Sequence, residues 1–180
     1  MTTSTPKYFS DLFQVLDIRL PHFRFIDGSD MPEPFRHLLV HHGDMTRRLE
    51  NFHGRPIHLH TLGVVRQPEV LFRQVLLKTN AETIVEFGAI QINLNHFTGE
   101  PLKRISDCYQ PLGGILNEFG ISYQSKLEGF FEIESDAHIQ TVLGLDRPHR
   151  LFGRQNRLAG ESDETLARVV EILPPIYDSD

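Results

Sequence analysis

Cysteine occurs once in these 180 residues, at Cys108, so no disulfide can form within the chain. Long apolar runs are missing too, and nothing approaches the roughly 20 consecutive apolar residues that a membrane span needs. The stretch from Met1 to Asp11 has neither a basic n-region nor an apolar h-region, so no secretory signal is read and a cytoplasmic location is expected. Positive charge is scarce: the formal net charge is -6 and the pI about 5.9. That balance speaks against nucleic acid or an anionic membrane as partner, because both require clustered cations. A site for a small anion must therefore concentrate its positive potential locally. G-x-G-x-x-G, P-loop and G-x-S-x-G patterns are absent, which removes the usual pointers to nucleotides and acyl-enzyme hydrolases. H-E-x-x-H and paired C-x-x-C are absent as well. His58 and His60 lie two apart in a strand pattern, with His41 and His42 near in sequence, but a metal needs three or four convergent ligands, so no metal site is assigned.

What is present is an ordinary balance for one globular domain spanning 1–180: 39% hydrophobic and 23% charged residues, enough to bury a sizeable core. Residues 1–30 read as a leader ending in the loop Asp27 to Pro34. Pro34 opens a helical pattern through Phe35, Leu38, Leu39 and His42 that Gly43 stops. Asp44 caps a second helix with Met45, Leu49 and Phe52 on its apolar stripe, closed by Gly54. From Pro56 the period becomes two, with strands at Ile57 to Leu62, Leu71 to Leu77 and Thr83 to Leu94, and a turn at Asn80 to Glu82. A loop surrounds Gly99, and Pro111 opens a short helix to Phe119 with Gly120 as its stop. Strands return at Ser122 to Ser135, Arg150 to Leu158 and Leu166 to Leu173. The expectation is an α+β fold: one six-stranded antiparallel sheet, with helices segregated to one side.

Two charged residues stand inside apolar strands. Arg73, in VLFRQVLL, shares a face with Leu71, Val75 and Leu77, and a cation there needs a partner. It is either a snorkelling or structurally paired arginine or a bidentate clamp for a ligand carboxylate. Glu171, in RVVEILPP, shares a face with Val169 and Leu173. Either that face is solvated, or desolvation fits the carboxyl to move a proton or hold a phenolic hydroxyl. An Arg73–Glu171 ion pair with no ligand is a further reading. Met45 and Leu112 each stand at the start of a helix, where backbone N–H groups lack intrahelical acceptors and suit an anion, unless both starts are simply hydrated. Arg147 to Arg157 reads as a solvated strand and turn.

The same positions carry a resemblance. Asp44-Met45-Thr46-Arg47-Arg48-Leu49-Glu50 is similar to the S-M-T-K/R-R-x-E core of the chorismate pyruvate-lyase family. VLFRQVLL, QPLGGIL, LFGRQNRL and VEILPP resemble its later motifs in order and approximate spacing from about Leu38 to Pro174. The resemblance implies a six-stranded antiparallel sheet with helical flaps over a buried site. It implies a cofactor-independent carbon–oxygen lyase that converts chorismate to 4-hydroxybenzoate and pyruvate. In that reading Arg73 takes the ring carboxylate together with the Met45 and Leu112 N–H groups, and Glu171 serves the oxygen at the other end. The chain departs from the pattern at Ala89, where the typical lyase has an arginine, and at His41 and His42, which replace acidic residues. The alternative is a non-catalytic module that binds an aromatic acid, or a lyase acting on a related enolpyruvyl or aryl carboxylate. Monomer and dimer are both open.

Overall fold

The computed structural model describes residues 7–19 and 21–176, so half of the stretch read for a secretory signal lies outside the described residues. Its frame is one antiparallel sheet of seven strands: β1 (Phe23–Ile26), β2 (Ile57–Arg66), β3 (Val70–Thr79), β4 (Ile84–Asn93), β5 (Gln124–Glu134), β6 (Arg150–Ala159) and β7 (Thr165–Leu173). Their spatial order is β1-β5-β6-β7-β4-β3-β2. The α+β antiparallel architecture is the expected one. The seventh strand is β1, from the stretch read as leader, which pairs with β5 through Phe23↔Ile133 and Phe25↔Phe131.

Among the described residues six α-helices complete the fold: α1 (Lys7–Val15), α2 (Phe35–Leu39), α3 (Met45–His53), α4 (Gly99–Asp107), α5 (Leu112–Glu118) and α6 (Ala137–Leu143). The caps explain where several begin and end. The Asp44 side chain accepts from the Arg47 N–H at 2.8 Å and Gly54 ends α3 in the left-handed region, a conformation that suits a residue without Cβ. Asp136 caps α6 in the same way through the Ile139 N–H. The α2 helix stops at Leu39, short of the expected His42, and the carbonyls of Leu39 and His41 accept instead from Arg154, at 3.1 and 3.0 Å.

Because side chains alternate along each strand, the sheet sorts its residues into two faces. One face carries Phe72, Leu76, Phe87, Ala89, Phe131, Ile133, Val170 and Ile172. It packs under α1, through Leu12 and Phe13, and α6, through Ile139 and Leu143. These two helices extend the expected one-sided arrangement to a second layer. The other face is covered in two parts. At one end Leu77, Phe130, Phe152 and Leu173 pack against Phe35, Leu38 and Leu39 of α2 and Met45 and Leu49 of α3. At the other end Leu71, Ile90, Ile92, Leu158 and Ala167 pack against Ile105 of α4 and Leu112, Ile115 and Leu116 of α5. Between the two apolar patches runs a strip of polar residues over which the helix pairs close.

Candidate functional site

The strip is the floor of a cavity of about 100 Å³. A single water needs ~10–15 Å³, so the space suits several waters or one small molecule. Arg73 (β3), Glu86 (β4), Arg154 and Asn156 (β6) and Glu171 (β7) line the floor, and the starts of α3 and α5 supply Asp44, Met45, Leu112 and Gly113. Thus the four sequence-predicted residues, Arg73, Glu171, Met45 and Leu112, come together around one cavity. The side chains of Met45 and Leu112 are buried in the flanking apolar clusters. What these two residues can offer a ligand is backbone.

Register fixes the relative positions. Gly88 stands opposite Val75 on β3 and opposite Glu171 on β7. Arg154 stands opposite Glu171 in turn. With β7 and β4 between β6 and β3, Arg154 is the arginine beside Glu171, and Arg73 lies two strands away. Arg154 donates from Nε to Glu171 Oε2, and Asn156 Nδ2 donates to the same oxygen at 3.2 Å. The Nη1 of Arg154 donates to the Leu39 and His41 carbonyls and faces His41 Nε2 at 3.2 Å. Only 1% of Arg154 is exposed. The reading of Arg147 to Arg157 as a solvated segment is therefore corrected at its centre: Arg154 is a buried clamp between the sheet and the α2–α3 connection. The Arg73–Glu171 ion pair is corrected too, since Glu171 is engaged by Arg154.

Arg73 differs. It is 2% exposed, and its Nε and Nη1 have no hydrogen-bond partner among the described residues. Burial pushes its pKa below the ordinary guanidinium value, opposed by the adjacent Cys108 thiol. Glu86 is its acidic counterpart, with Oε2 likewise buried and unpartnered. Burial first, and then the nearby Glu171 carboxylate, raise the Glu86 pKa well above the ordinary carboxyl range; Arg154 opposes this and Asp44 adds to it. Tyr123 closes the α5 side, its phenol raised by burial and by Asp44. Gly113 permits this closure, because a Cβ there would come within 2.5 Å of Asp44 Oδ2 and 3.2 Å of the Tyr123 hydroxyl. A larger surface groove adjoins the cavity and shares Gly43, Asp44, Tyr123 and Ser125 with it.

Ala89 proves not to be a lost cavity cation. Although Ala89 borders the cavity, its side chain is fully buried in the cluster beneath α1 and α6 on the opposite side of the sheet, so an arginine side chain there would point away from the floor. His58 and His60 are exposed on β2, His58 against Glu82 at 3.2 Å. Among the described residues no group of three or more His, Cys, Asp or Glu side chains is placed to hold a metal ion. Glu86, Arg154 and Asn156 were not singled out from sequence. The signal was present in the alternation of Phe152, Arg154, Asn156 and Leu158, and of Glu86, Gly88 and Ile90.

No protein-family model matches the sequence, and no curated protein matches it. Solved structures do. The effector domain of PhnF from Mycobacterium smegmatis superposes with a TM-score of 0.57 at 14% identity, covering 76% of this chain and 91% of that one. A second PhnF structure from that organism gives 0.57 at 12% identity, covering 95% and 99%. The ligand-binding domain assigned to a GntR-family transcriptional regulator from Bordetella bronchiseptica gives 0.50 at 18%, covering 69% and 89%. At such identities the likeness is one of fold alone: the antiparallel α+β architecture is shared with these effector and ligand-binding domains. The expectation of an enzyme is corrected by these neighbours, which are effector and ligand-binding domains rather than lyases. Glu171, the group expected to manage a proton, has its Oε2 held by Arg154 and Asn156.

Proposed function

We propose that this chain is a ligand-sensing module that binds a small aromatic carboxylate in the cavity between α3 and α5 without turning it over. The observation that carries the reading is Arg73: a buried guanidinium with two N–H-bearing nitrogens unpartnered, aimed at a cavity large enough for one small molecule. An uncompensated buried charge costs several kcal/mol, and a bidentate carboxylate offsets that cost with charge-assisted hydrogen bonds. The N–H groups of Met45 and Leu112 add donors without added side-chain charge. Val75, Leu77, Ile90, Leu158 and Val169 give the cavity apolar walls suited to a ring. The neighbours' description as effector and ligand-binding domains supports binding as the task, and the cytoplasm is the compartment in which a regulator's sensor works.

The test is thermal unfolding with and without benzoate or 4-hydroxybenzoate. Ligand at 100 times Kd should stabilise the wild type by about 2.7 kcal/mol. Arg73→Leu should lose most of that stabilisation, and an equal response in the two proteins would overturn the reading. Incubation with chorismate should yield no pyruvate.

A further inference from the structure

We propose that Glu86 reads the end of the ligand opposite its carboxylate, donating a hydrogen bond to an oxygen there, so that the cavity selects hydroxy- or oxo-substituted aromatic acids over unsubstituted ones. This rests on the carboxylate reading of Arg73 and adds the second anchor. Arg73 stands opposite Ile90, and Glu86 stands opposite Leu77. The two anchors therefore start four residues apart along the sheet, on the order of 13 Å at ~3.3 Å per residue, and both line the same cavity. Midway between them is Gly88, opposite Val75. A Cβ at Gly88 would come within 3.0 Å of the Val75 methyl and 3.4 Å of Glu86 Oε1. The missing side chain leaves a bare floor along which a flat ring can lie, a use of glycine where a ligand approaches the backbone.

Glu86 is better suited to this role than Glu171. Glu171 Oε2 already accepts from Arg154 and Asn156, whereas Glu86 Oε2 is buried without a partner. The charged groups acting on Glu86 are Glu171 from β7 and Asp44 from the start of α3, with Arg154 from β6 opposing them. Arg154 is committed to Glu171 and to the α2–α3 connection, so burial and the two acids favour the protonated form of the Glu86 carboxyl. A neutral carboxyl in that place is a donor seeking an acceptor. Its cost while unsatisfied falls away when a hydroxyl or carbonyl oxygen arrives, and remains when the ligand presents only a ring hydrogen.

The experiment compares benzoate with 4-hydroxybenzoate by titration calorimetry on the whole chain in wild type, Glu86→Gln, Glu86→Leu and Arg73→Leu. The ratio of the two affinities is the readout. Wild type should prefer 4-hydroxybenzoate about tenfold. Glu86→Gln keeps a neutral donor and should retain the preference within about threefold, whereas Glu86→Leu should abolish it. A preference that survives in Glu86→Leu overturns the inference while leaving the Arg73 reading intact. Equal benzoate affinity in wild type and Arg73→Leu, or no binding of either acid, overturns the carboxylate reading and the inference with it. Infrared difference spectra of wild type against Glu86→Gln check the donor separately. The protonated-carboxyl stretch should be present without ligand and shift to lower frequency with 4-hydroxybenzoate but not with benzoate. Its absence, or its loss on binding, overturns the assignment of Glu86 as donor.

Discussion

Two arginines lie on the same face of the same sheet, both almost wholly buried, and their surroundings are opposite. Around Arg154 the polar groups answer one another: the Glu171 carboxylate and the carbonyls of Leu39 and His41 take its donors, and Asn156 shares the carboxylate. Around Arg73 two nitrogens go unanswered, and across the Gly88 floor an oxygen of Glu86 does too. Burial alone therefore does not separate a structural charge from a functional one. Satisfaction does: the completed network on β6 and β7 ties the α2–α3 cover to the sheet, and the incomplete pair on β3 and β4 is the part that the proposed ligand would complete.

The sharpest way to break this comparison is to remove each arginine from the ligand-free protein. Arg154→Leu strands Glu171 without its cation and frees two carbonyls, so it should destabilise by about 3–5 kcal/mol in urea unfolding. Arg73→Leu takes away a buried charge that has the Cys108 thiol beside it but no carboxylate, with Nε and Nη1 unsatisfied, and should stabilise by about 1–3 kcal/mol. A matching loss in both variants would mean that Arg73 has structural partners after all.

The second test sharpens the Arg154 side alone. Glu171→Leu leaves Arg154 buried without its carboxylate and should cost about 3 kcal/mol, while the double variant with Arg154→Leu should recover part of that, giving a coupling of about 1–3 kcal/mol. Additive losses would show that the Arg154–Glu171 contact is not what holds the α2–α3 connection.

A third effect is smaller and belongs to the Glu86 side. Its raised pKa means that the folded state holds a proton which the unfolded state releases near the ordinary carboxyl value. Stability should then be greatest below that value and should fall as pH rises from it towards the folded pKa. Glu86→Gln should flatten this fall and be the more stable protein at neutral pH. Identical pH profiles would show that Glu86 is ionised in the folded state.

Much of this arrangement was legible in the sequence. A charge at the alternating position of an apolar strand marked Arg73 and Glu171, and capping chemistry marked the starts of α3 and α5, because both signals are local. The same alternation in LFGRQNRLA and IVEFGAI carries Arg154 and Glu86, hidden only by reading the first as a basic surface segment and the second as plain strand. Pairing was not legible. Glu171 meets Arg154 because β7 lies between β6 and β4, an order set by contacts distant in sequence. The α4 helix was masked by Gly99 and Pro101, which read as loop although proline is tolerated in a first helical turn. The short α6 and β1 draw their order from packing more than from their own patterns.

The smallest predicted effect returns to the Arg154 side through His41. Burial and the Arg154 and Arg48 charges lower the His41 pKa to about 4, so the imidazole stays neutral over the range in which the unfolded chain protonates. It accepts from the Gly43 N–H through Nδ1, a role that protonation would remove, and its Nε2 faces the Arg154 Nη1, beside which a second positive charge is disfavoured. The sign follows from linkage: above pH ~6.5 both states are neutral and His41 has no effect. As pH falls from there towards 4 the unfolded state binds the proton first, and stability is lost. With the residue only partly buried, the loss should be on the order of 1–2 kcal/mol after screening is allowed for. His41→Gln cannot titrate and should flatten the acid limb of the stability curve by that amount. Because His41 bears on the cover and not on the cavity floor, benzoate affinity at neutral pH should change less than twofold. A large loss of affinity would show that the α2–α3 connection and the Arg73 pocket are one coupled unit, not two.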